Sequence, residues 1–82
     1  MTDVIWQNSL DKGKWAVSVT RADDNEREAY LEVTEIASGT LIHRERMPLL
    51  YGAPFGLDVE DVAYVQTRAV DVVDDPDERL IQ

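Results

Sequence analysis

Eighty-two residues without a cysteine, with seventeen acids against eight lysines and arginines and a formal charge of −9, exclude several chemistries at once. A chain this short builds one modest core without room for a large cofactor, and lacking thiols it has no disulfide, iron–sulfur cluster, thiolate zinc site or cysteine nucleophile. The charge repels phosphate backbones and anionic lipid, no apolar run reaches bilayer-spanning length, and the N-terminus lacks the basic start and apolar run of a signal peptide. A soluble, cytoplasmic protein that binds neither nucleic acid directly nor membrane is therefore expected.

The first apolar run, Val4-Ile5-Trp6, and the turn residues Asp11-Lys12-Gly13-Lys14 predict a hairpin that pairs residues about 3 to 9 with 14 to 22. In the second of these strands Trp15, Val17 and Val19 alternate with Ala16, Ser18 and Thr20, which gives one apolar and one small or polar face. Ala22-Asp23-Asp24-Asn25-Glu26 favours local side-chain to backbone bonds over a ladder, and a third strand is expected over about 27 to 36.

Ser38-Gly39 turns the chain into a fourth strand over about 40 to 46, and loop parity then decides which way His43 faces. An even loop places Val33 with Ile42 and Arg44, and an odd one places it with Leu41, His43 and Glu45. The even case is favoured here, with His43 opposite to Val33.

Met47 to Gly56 is an unusually apolar loop, with Leu49, Leu50, Tyr51 and Phe55. Such residues either fold inward as a crossover over the open end of the layers or form an exposed patch that meets a partner. In the second case Leu50, Tyr51 and Phe55, together with Trp6 on the first strand, are the candidate partner-binding residues.

From Asp58 to Val73 the period becomes helical. At a hundred degrees per residue Val62, Val65, Ala69, Val72 and Val73 share one arc, while Glu60, Asp61, Tyr64, Thr67, Arg68 and Asp71 lie elsewhere. Asp58 is the expected N-cap, Leu57 and Val62 a hydrophobic staple, and Pro76 the stop. The valines, and Asp71, Asp74 and Asp75 at the wrong end of the dipole, leave a fifth strand as the alternative. Residues 76–82 are expected to fray.

The layout is α+β: a four-stranded antiparallel β-meander with one C-terminal helix packed on one face (ββββα, two layers), in one domain over residues 1–75. Val17, Val19, Leu31, Val33 and the helix valines form its expected core.

Few residues carry chemistry. His43 is the lone histidine, and Glu45 two positions on could orient it, but such a pair is commonplace on a charged sheet face. Asp71, Asp74, Asp75, Asp77 and Glu78 lack the spacing and central glycine of a calcium loop. Arg44 and Arg46 could clamp an anion, yet charges on a terminal strand also guard a sheet edge. No cofactor, metal site or catalytic constellation is expected.

The leading reading is a non-enzymatic protein-interaction module, with self-association as a homodimer through the uncharged first strand or the sheet face that carries Tyr30. The alternative is an acidic helix that imitates a nucleic-acid backbone and occupies a basic protein partner. A small enzyme ranks third.

Overall fold

The computed structural model describes residues 4–75. The alternating segments pair as an antiparallel sheet of order β1-β2-β3-β4, built from β1 (Val4–Leu10), β2 (Trp15–Arg21), β3 (Glu28–Glu35) and β4 (Thr40–Pro48). A short 3-10 turn (Ala53–Phe55) leads to helix α1 (Val59–Asp74). The ββββα arrangement expected from the pattern is the observed fold, and the valine-rich segment is helical. The expected frayed tail, with Asp77 and Glu78, lies outside the described residues. Among the described residues no helix is long and apolar enough to cross a membrane.

One sheet face and one helix stripe close on each other. Trp15, Val17 and Val19 from β2, Ala29, Leu31 and Val33 from β3, Met47 from β4 and Val65, Ala69 and Val72 from α1 form a buried cluster, with Leu57 and Val73 packed at its margin. The opposite face carries the polar and partly exposed side chains. There Tyr30 is stacked under Arg44, whose Cζ lies 3.8 Å from the ring centroid, and Thr20 donates to Glu32 at 3.1 Å.

Helix α1 begins where its orphan amides find acceptors. Asp58 caps it as expected, and Asp61 completes a capping box by accepting from the Asp58 backbone N–H. No basic residue follows in the last turn, so apolar contact rather than the dipole holds that end.

Two bulges change what alternation alone implies. On β1 the register slips between Val4 and Trp6, which leaves Ile5 as the extra residue and sets Trp6 opposite Val19. On β4 the turn is even, with Glu35 opposite Thr40 and Thr34 opposite Leu41, but the next pair is Val33 with His43. Ile42 is therefore the extra residue, and parity reverses beyond it. The expected loop parity holds, yet His43 lands on the side of Val33, 7% exposed, and its placement on the opposite face is corrected by that bulge.

Burial of the helix stripe against the sheet stabilises the fold. Val65→Ala removes two methyl groups from a site with no exposure and should lower the unfolding free energy by about 2–3 kcal/mol. In contrast Val70→Ala, on the exposed side, should change it by less than about 0.5 kcal/mol. Urea unfolding of both variants measures the difference.

Candidate functional site

After β4 the chain is held from two sides. From the turn that leads into β3, the Arg27 carbonyl accepts the Leu49 N–H at 2.8 Å and the Glu26 carbonyl accepts the Ala53 N–H at 2.6 Å. From the helix, Asp61 Oδ2 accepts the Leu50 N–H at 3.2 Å. Gly52 permits the close approach to that turn: its φ of 94° and ψ of 161° lie in a region used almost solely by glycine. A Cβ placed there would sit 3.3 Å from the Glu26 carbonyl oxygen.

This pinned segment divides its apolar residues, so each reading of the loop describes part of it. Met47, Leu49 and Ala53 turn inward and are buried, while Leu50, Tyr51 and Phe55 are 44%, 58% and 79% exposed. The outward three line one hollow of about 370 Å³ together with Arg27. Leu50 also lines a second hollow of about 380 Å³, with Met47, Pro48, Leu49, Glu60, Asp61 and Tyr64. Trp6 stands apart from both: it is partly buried and packs against the core from β1. Three of the four candidate residues are thus brought together and the fourth is not.

Arg27, Glu60 and Tyr64 are the participants that sequence reasoning did not select. A signal for Tyr64 was present. Asp61, Tyr64 and Arg68 recur at i, i+3 and i+7, which is a second helix stripe beside the valines, and both Tyr64 and Arg68 reach β4. Tyr64 OH donates to Glu45 Oε2 at 2.9 Å, and Arg68 Nε donates to Glu45 Oε1 at 2.7 Å. His43 Nε2 lies 2.7 Å from the same Oε1. An ionised carboxylate only accepts, so Nε2 carries the proton.

Burial pushes the Glu45 carboxyl upward, but the hydrogen bonds from His43, Tyr64 and Arg68, with the Arg68 charge, outweigh it and hold its pKa below the ordinary glutamate value. For Tyr64, burial and the Glu45 hydrogen bond and charge raise the pKa, against Arg68. Geometrically this is a clasp between helix and sheet. Of its four side chains only Tyr64 lines either hollow beside Leu50.

Arg44 and Arg46 are engaged in local pairs. Arg46 bonds Asp24 at 2.6 Å and also Glu28, and Arg44 pairs with Glu32 at 3.4 Å. Among the described residues no group of three or more His, Cys, Asp or Glu side chains is placed to hold a metal ion. No family of known proteins matches this chain, and comparison with curated proteins and with solved structures returns no match.

Gly52→Ala should destabilise the fold by about 1–3 kcal/mol, from backbone strain and crowding of the Glu26 carbonyl, read as a lowered urea midpoint. The Glu45 clasp has a pH signature. A carboxylate with a depressed folded-state pKa contributes stability above the ordinary glutamate range and loses it as pH falls through the folded value. Glu45→Gln should therefore cost about 1–2 kcal/mol at neutral pH, modest because water reaches the carboxylate. That cost should shrink in acid, as unfolding curves across pH 3 to 7, roughly the span of carboxylate titration, will show.

Proposed function

We propose that this chain is a non-enzymatic protein-interaction module that meets its partner through Leu50, Tyr51 and Phe55. The observation that carries the reading is that three large apolar side chains stand exposed on a segment whose backbone is tied to the turn before β3 and to the helix. Ordinary loops expose small polar residues and move. A pinned loop presenting aromatics loses little freedom on association, so more of its contact energy appears as affinity. The hollows are open and shallow, a shape suited to side chains of another protein rather than to an enclosed small molecule.

The competing acidic-mimic reading draws less support. Two of the three acids at the helix start, Asp58 and Asp61, are engaged in capping bonds, and Asp61 is buried. The enzyme reading draws less again, since the imidazole and its carboxylate are knit into the clasp away from both hollows.

A photo-reactive amino acid placed at Phe55 should give a discrete cross-linked adduct in the native cell, and the same group at Ser18, on the sheet face away from the helix, should give none. Equal labelling from both positions, or none from Phe55, would overturn the proposal. Adduct yield that collapses as salt is raised would favour the acidic surface instead, because apolar contact is nearly insensitive to screening.

A further inference from the structure

Leu50 is the lining residue that the two hollows share, and the charged groups on its two sides differ in sign. One hollow carries Arg27 beside Tyr51 and Phe55, and the other carries Glu60 and the ring of Tyr64. Among the described residues neither the Arg27 guanidinium nor the Glu60 carboxylate has an ion-pair partner, and both residues are exposed. An apolar centre with a free cation on one side and a free anion on the other is the pattern of a self-complementary surface. Under a two-fold axis each group meets its opposite on the second copy, because in such an interface residue i contacts residue j and j contacts i.

We infer that the occupant of this surface is a second copy of the same chain, docked about a two-fold axis near Leu50, with Arg27 of each protomer paired to Glu60 of its partner. The inference rests on the reading of Leu50, Tyr51 and Phe55 as an interaction surface and adds the identity of the partner. Charge complementarity decides between occupants. A strongly basic partner would leave Arg27 facing like charge, and an acidic one would do the same to Glu60. This chain supplies both counter-charges at the required positions. The general repulsion between two chains of −9 acts over the whole surface and is screened within about 8 Å at physiological salt, whereas the paired groups act at contact.

The test is sedimentation and light scattering of the full chain across a wide concentration range, with folding of each variant checked by circular dichroism. The unsubstituted chain should reach twice the monomer mass. Leu50→Asp should weaken dimerisation at least about tenfold, as expected for a central anchor. Arg27→Glu and Glu60→Arg should each weaken it by about tenfold. The double variant, with both charges exchanged, should return to within about threefold of the original, as a double-mutant cycle requires. General repulsion alone predicts a different pattern, in which Glu60→Arg strengthens association. That result, a monomer mass at every concentration, or a dimer indifferent to Leu50→Asp would each overturn the inference. A monomer whose position 55 still cross-links a different protein would refute the self-docking while leaving the interaction surface intact.

Discussion

Asp61 is the constraint on which the upper end of this molecule depends. Asp61, the third residue of α1, is 8% exposed, and a buried charge is stabilised by hydrogen bonds to its lone pairs. Two backbone amides donate to its Oδ2, that of Asp58 at the helix start and that of Leu50 in the preceding loop. One side chain thus sets where the helix begins and how far the loop stands from it. The exposure of Leu50, Tyr51 and Phe55 follows, since a loop tied at Leu50 and again at Ala53 cannot fold all of its apolar side chains inward.

A second polar contact fixes the rotation of the helix. Val65, Ala69 and Val72 specify only that an apolar stripe faces the sheet, and a stripe of small residues tolerates some roll. Glu45 removes that freedom by drawing Tyr64 and Arg68 toward β4, one side of the stripe. The core supplies adhesion without direction, and the clasp supplies direction at modest energetic gain. Such a division is common where a small core must also specify one arrangement.

Much of the architecture was legible in the sequence because it rests on local periodicity. Alternation at Trp15, Val17 and Val19 and the arc at Val65, Ala69 and Val72 each report a face, and Asp58 announces its helix through its own capping chemistry. The bulge at Ile42 was not legible, because nothing in Leu41-Ile42-His43 distinguishes an extra residue from a regular one. The candidate site was half legible. Leu50, Tyr51 and Phe55 stood out as apolar residues in a loop, but their division from Met47 and Leu49 depends on carbonyls of Glu26 and Arg27, distant in sequence. Trp6 was grouped with them by chemistry alone, and its position on β1 separates it. Tyr64 and Arg68 lie outside the valine arc, and their reach to β4 shows only when the helix is read for a second stripe.

The single extra residue at Ile42 gives strand β4 an asymmetric response to changes of length. Side chains on either side of it can be exchanged one at a time, and each exchange is answered locally. Removal of Ile42 itself would only close the bulge and leave His43, Glu45 and Met47 opposite Val33, Leu31 and Ala29, whereas an added residue that joined the ladder there would turn Arg44 and Arg46 toward the valines and His43, Glu45 and Met47 toward water. Loss of Ile42 should therefore be better tolerated than an insertion beside it, since only the insertion moves His43 from its place opposite Val33.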